Sequence, residues 1–247
     1  MPSPLDQLVE KLQKAFGQDL ISVVLYGSAA AGDHHQKFSD YNVLCVLREV
    51  APRQLGASGS IFRWWREQGN PAPLLLTEQE VRTSTDCFAI EFHDMKESHR
   101  ILYGADVITS LVVDNSFYRA QVEHELRAKL LRLRQKASAI LSDPDILRRL
   151  LIDSISTFCV LFRHALLLHG IGAPGRKRDI IELAHSRFGI EPGPFQSLLD
   201  LREERVKPGE VEPVGLFAAY MKEIGKVIDA VDGLEKTGLE STGGKAS

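Results

Sequence analysis

The sequence is poor in cysteine. Cys45, Cys87 and Cys159 make an odd set with no CxxC spacing, which argues against both a disulfide framework and a zinc site. Long apolar runs are also scarce. The longest, Phe158–Leu168, is interrupted by Arg163 and His164, so no membrane-spanning segment and no membrane partner are expected. The opening MPSPLDQLVEKLQ lacks the basic-then-apolar layout of a signal peptide, and a cytoplasmic location is the expectation. A large charge excess is missing too. Across 247 residues, 30 Lys and Arg face 33 Asp and Glu, for a net charge of −3. Residues 1–114 hold 10 basic against 15 acidic side chains, and residues 115–247 hold 20 against 18. A generic nucleic-acid binder would carry a basic excess. Long nucleic acid is therefore not an expected partner, whereas small phosphorylated ligands stay open. No internal repeat is visible.

What is present is ordinary material for a buried core, with 44% hydrophobic and 26% charged residues. Only Thr237–Ser247, rich in Gly, Ser, Thr and Lys, has the composition of a disordered tail. The first half alternates strand-like and helix-like runs. Leu5, Leu8, Val9, Leu12 and Phe16 recur at helical spacing and Gly17 closes the helix. LISVVLY, Leu20–Tyr26, is a β-branched run that predicts a buried strand, and Val43–Leu47 predicts a second. Arg53–Gln68 predicts a helix and Leu74–Leu76 a short strand. Thr77 and Glu80 then make a capping box for a further helix. Phe88–His93 alternates apolar and polar residues, which predicts another strand with Phe88, Ile90 and Phe92 on one face and Glu91 on the other. Val107–Val113 is expected as a final edge strand.

From Asn115 the period lengthens. Tyr118, Val122, Leu126, Leu130, Leu133, Ala137 and Ile140 form one apolar stripe on a long helix. Asp143-Pro144 starts the next helix, whose apolar residues on nearly all sides predict the centre of a bundle. Segments near Lys177–Phe188, Phe195–Glu204 and Leu216–Leu234 complete four or five helices. The expected organisation is an α/β (α+β) domain with a small mixed sheet at residues 1–114, an all-α helical bundle at 115–236, and a tail at 237–247.

One segment carries chemistry: VVLYGSAAAGDHHQKFSDYNVLCV, Val23–Val46. A buried strand ends in Gly27-Ser28, and a second strand opens after a polar loop with Asp40-Tyr41-Asn42. Gly27 lets backbone approach a ligand closely. Ser28 offers a hydroxyl and an amide at the start of a helical turn, where N–H groups suit a phosphate. Asp40 and residue 42, two apart on a strand, share a face, and oxygen donors so placed suit Mg²⁺ beside a triphosphate.

This run resembles the signature of the nucleotidyltransferase superfamily, which includes DNA polymerase beta, the aminoglycoside nucleotidyltransferases and the minimal nucleotidyltransferases. The signature is a hydrophobic strand, Gly-Ser, about a dozen residues, then Asp–hydrophobic–Asp/Glu–hydrophobic. Gly27-Ser28 followed by Asp40-Tyr41-Asn42-Val43 matches it in spacing. The resemblance implies a Mg²⁺-bound nucleoside triphosphate as substrate or ligand, with Gly27 and Ser28 at the phosphates and Asp40 and Asn42 at the metal. It also implies a third carboxylate on a neighbouring strand. Glu91 is the candidate, as metal ligand or catalytic base beside Asp40, with Asp94 behind it. In kanamycin-type relatives a Glu and a Lys one turn apart on the helix after the catalytic domain act as base and phosphate clamp. Glu125 and Lys129 have that spacing, although such pairs also serve as ordinary helix-surface stabilisers.

The departure is Asn42. An amide oxygen can coordinate a metal but brings no charge. Two functions follow: transfer of a nucleoside monophosphate to a hydroxyl of a small molecule or protein, or a catalytically silent nucleotide-sensing or protein-interaction module. A homodimer is compatible with either. Two other patterns have plainer readings. GIGAPG at Gly170–Gly175 follows a helix rather than a strand and reads as a helix stop. Arg163 and His169 are six residues apart, about 120° around a helix axis, and do not converge as a ribonuclease pair would. Of Trp64-Trp65, one ring is expected to pack and the other to be exposed.

Overall fold

The structure, a computed structural model, describes residues 2–27, 29–30, 41–172 and 175–240, with side chains of the last helix described as far as Leu234. Helix α1, Pro4–Phe16, starts with a capping box between Ser3 and Asp6 and buries Leu5, Leu8, Leu12 and Phe16. Gly17, at a φ of 53°, turns the chain out of it. Strand β1, Leu20–Tyr26, and strand β2, Asn42–Leu47, follow. Then come helix α2, Pro52–Glu67, strand β3, Leu74–Thr77, and helix α3, Glu78–Thr83, whose Thr77–Glu80 capping box forms as expected. Helix α4 is Ala89–Glu97 and strand β4 is His99–Gly104.

The four strands lie in the order β3-β2-β1-β4. β1 is antiparallel to β2 and to β4, and β2 is parallel to β3, so the sheet is mixed. Alternation sends the two sets of strand side chains to opposite faces. Val23, Leu25, Val43, Cys45 and Leu47 join Leu8, Leu12, Ile61 and Trp65 of α1 and α2. Val24, Leu44 and Val46 meet Val81, Phe92 and Met95 of α3 and α4, with Ile108 and Leu111.

Two expectations fail in this unit. Phe88–His93 is not a strand: α4 begins at Ala89 and buries Ala89, Phe92 and Met95 at helical spacing, leaving Phe88 exposed. Glu91 therefore sits on a helix covering the sheet. Val107–Val113 is not a strand either. The Asp106 carboxylate accepts the N–H groups of Ile108 and Thr109 at 2.9 and 3.0 Å, which bends the segment into a turn. Ile108 and Leu111 drop from that turn into the core. The fourth strand lies just before it, at His99–Gly104.

Among the described residues the second half is all helical: α5, Tyr118–Ser138; α6, Pro144–Leu168; α7, Lys177–Phe188; α8, Gly193–Arg202; and α9, Pro213–Glu240. The chain divides into two compact units, Met1–Tyr118 and Arg119–Ser247. Asp143 caps α6 by accepting the N–H groups of Asp145 and Ile146, both at 3.1 Å. α6 is long and apolar enough, by length and composition, to cross a membrane, contrary to the expectation from Arg163 and His164; half of its apolar window is buried inside the protein. It contacts α7, α8 and α9, with Phe158 edge-on to Tyr220 and Phe162 edge-on to Phe195. That is the environment of a core helix. Buried Glu223 on α9 accepts the Glu191 N–H and the Lys226 ammonium, each at 2.8 Å, tying the α7–α8 connection down. Gly170, at a φ of 73°, stops α6. His169 accepts a hydrogen bond from Arg187 at 3.1 Å and packs on Phe188, a helix-end contact.

Candidate functional site

The site is built on the end of β1. Tyr26 pairs with Asn42 of β2 on one side and with His99 of β4 on the other. Tyr26 lies on the sheet face covered by α3 and α4, and Asn42, in alternation with Leu44 and Val46, shares that face. Gly27 follows at a φ of 77°, its N–H donating to the Ser98 carbonyl at 3.1 Å and its carbonyl accepting from the Ala30 N–H at 2.9 Å. A Cβ at position 27 would stand 3.4 Å from the Asn42 side-chain nitrogen. Gly27 and Asn42 are therefore neighbours across the strand pair. Ser28 and Asp40, the other two signature residues, lie outside the described residues.

Glu91 reaches the same end of the sheet, but from the first turn of α4 rather than from a strand. Glu91 and Asp94 are one helical turn apart, on one face. Their charge is felt by Tyr26, whose phenol is pushed up to about 12, first by burial and then by Glu91 and Asp94. Tyr118, also buried and also facing Asp94, is shifted in the same direction. Both phenols thus feel the Asp94 charge, and one of them, Tyr26, immediately precedes Gly27. Sequence reasoning passed over Tyr26; the signal was its place immediately before Gly27, on the strand face opposite Leu25. His93 takes no part: its Nε2 lies 2.7 Å from Asn115 Oδ1 and its ring packs on Tyr118.

Lys129 is on α5, in the second unit, in an ion pair with Glu125 at 3.3 Å, with both side chains substantially exposed. Trp65 is fully buried, and Trp64 is partly exposed with the Lys11 ammonium 5.0 Å from its ring centre. Among the described residues no three His, Cys, Asp or Glu side chains converge as a metal cage. The Asn42 amide and the Glu91 and Asp94 carboxylates are hard oxygen donors, the type that suits Mg²⁺.

A mixed four-stranded sheet flanked by helices, a glycine turn after its central strand and a helical second half define a nucleotidyltransferase architecture. Residues 5–132 match the nucleotidyltransferase domain, and the chain belongs to that family. Among solved structures it is similar to a spectinomycin adenyltransferase from Enterococcus faecialis, solved with ATP and spectinomycin. The TM-score is 0.61 at 14% identity, over 92% of this chain and 98% of that one. At that identity the likeness establishes the fold alone. A toxin–antitoxin solved with AMP-PNP matches 56% of this chain and 95% of its own at 16% identity, with a TM-score of 0.31, too low to carry an argument. Among curated proteins none matches the sequence.

Proposed function

We propose that the chain binds a Mg²⁺–nucleoside triphosphate at the Gly27 end of β1 and transfers its nucleoside monophosphate to a hydroxyl of a small molecule. The observation that carries this reading is the juxtaposition of Gly27 and Asn42, close enough that a Cβ added at position 27 would meet the Asn42 side chain at 3.4 Å, on the sheet face where Glu91 and Asp94 act on Tyr26. Gly27, with no side chain, leaves its backbone open to phosphate, and Ser28 would add its amide and hydroxyl. Asp40 and Asn42 would hold Mg²⁺, which when bound screens phosphoryl charge. Lys129 would clamp a phosphate. The acceptor oxygen attacks the α-phosphorus, the bond to the bridging oxygen of the β-phosphate breaks, and pyrophosphate leaves. Glu91 would take the acceptor proton. A small-molecule acceptor is preferred over a protein side chain because the adenyltransferase with the same fold was solved with one.

A second reading, a catalytically silent nucleotide-sensing or protein-interaction module, is favoured by Asn42 itself, which supplies no charge to a metal. Calorimetric titration of each triphosphate with Mg²⁺ and again with EDTA tests the first reading, with Asp40→Ala as control. Metal-dependent binding lost in the variant supports the site, and a screen of hydroxyl acceptors for pyrophosphate release then separates enzyme from sensor. No binding to any triphosphate would sink the nucleotide reading.

A further inference from the structure

We propose that Asn70 is a positioning residue of the nucleotide site, holding the start of β2 from behind; the inference rests on the nucleotide-binding reading above. β3 begins at Leu74, opposite Leu44 of β2. The chain at residues 41–43 therefore runs past the first paired position of its parallel neighbour β3. There the Tyr41 N–H donates to Asn70 Oδ1 at 3.0 Å. A side-chain amide thus holds the backbone just beyond the β2–β3 pairing.

The end of α2, just before Asn70, grips Tyr41 a second time. The buried Trp65 ring stacks on the Tyr41 ring, 5.9 Å between centroids and 29° between planes. Trp65 and Asn70 belong to one local structure. α2 ends at Glu67, Gly69 turns the chain at a φ of 86°, and the Asn70 N–H returns to the Trp65 carbonyl at 3.4 Å. Trp65 is anchored in the core between α1, α2 and the sheet. A rigid helix end thus fixes both the backbone and the side chain of Tyr41, whose sequence neighbours are the signature positions 40 and 42.

The consequence concerns geometry at the site. Tyr41 packs toward α1 and α2, whereas Asn42 faces the α4 side and Gly27. Losing the Asn70 contact leaves the hydrophobic face of β2 and the Trp65 stack in place while removing one hydrogen bond from the backbone between the two signature positions. Phosphoryl transfer is sensitive to the geometry there, since misplacement by about 1 Å costs on the order of a hundredfold in rate.

The test compares triphosphate affinity, with Mg²⁺, in the unaltered protein, Asn70→Ala and Thr77→Ala, well below each thermal midpoint. Thr77 pairs with Leu47 at the far end of β2, and its substitution removes a helix cap of comparable worth. Asn70→Ala is expected to weaken binding about fivefold to tenfold, the equivalent of one hydrogen bond, and Thr77→Ala to leave it unchanged at a similar loss of thermal stability. Should Asn70→Ala fail to fold, Asn70→Gln keeps the amide but displaces its oxygen, and is expected to weaken binding by about threefold or more. Equal losses in Asn70→Ala and Thr77→Ala would overturn the proposal, because the role would then be stability alone. Triphosphate binding indifferent to Asn70 would overturn this inference alone. An unaltered protein that binds no triphosphate would overturn it together with the nucleotide reading.

Discussion

Gly27, just past the end of β1, lies beside Asn42 of β2, and a Cβ added at position 27 would stand 3.4 Å from the Asn42 side-chain nitrogen. That is ordinary contact, so an alanine at position 27 is limited by the φ of 77° rather than by space. Gly27→Ala is expected to cost about 1–2 kcal/mol of stability, measured by chemical denaturation. It should weaken triphosphate binding as well, because the new methyl occupies the approach to the backbone. Undiminished affinity would remove the phosphate from this turn.

Asn42→Asp places a carboxylate where the amide stands. With Mg²⁺ present, triphosphate affinity should rise about tenfold as the site gains a charge for the cation. In EDTA it should fall, because the new charge opposes the phosphates. Titrations under the two conditions check the sign, and identical behaviour would place the metal elsewhere.

Gly104 is constrained differently from Gly27. A Cβ there would lie 2.0 Å from the Ile21 carbonyl oxygen, inside the β1–β4 pair. Gly104→Ala should destabilise the protein by at least about 3 kcal/mol, a backbone clash at a special φ. Gly189→Ala, at a φ of 65° with nothing within 4 Å, should cost only about 1–2 kcal/mol. Thermal midpoints of the two variants test the contrast.

Lys129 makes an exposed ion pair with Glu125. Lys129→Ala should leave stability within about 0.5 kcal/mol. If Lys129 clamps a phosphate, triphosphate affinity falls about tenfold or more; unchanged affinity confines it to the helix surface.

Stability should decline at alkaline pH. Burial pushes the thiols of Cys45 and Cys159 and the phenol of Tyr26 up to about 12, from usual values of 9.0 and 10.0. The folded chain keeps these protons where the unfolded chain has released them. Their contribution is thus complete below pH 9 and is lost as pH rises to about 12. Thermal midpoints across that window should fall, and Tyr26→Phe should flatten the slope. A midpoint independent of pH would contradict the burial argument.

Much of the fold is legible in local pattern. LISVVLY predicts β1 over the residues it occupies, Thr77 and Glu80 announce the start of α3, and Asp143-Pro144 marks the start of α6. The misreading at Phe88–His93 has a definite source. Six residues fit period 2 through Phe88, Ile90 and Phe92 as well as they fit a helix, and only Met95, one turn beyond, breaks the tie. Val107–Val113 is β-branched and reads as a strand, yet the Asp106 cap makes it a turn, and His99–Gly104, with its polar start, is the strand instead.

By itself the sequence determined the family signature, the change from strand-like to helical period, and the elements whose apolar spacing extends over several turns. Tertiary structure decided which strands pair, that Glu91 approaches the site from a helix, and that Tyr26 lies between Glu91, Asp94 and the signature. It alone placed Asn70 against Tyr41, 29 residues away in the chain. The reason is physical: periodicity reports which side of an element is buried, whereas the partner of a given polar group is set by chain segments distant in sequence that packing brings together.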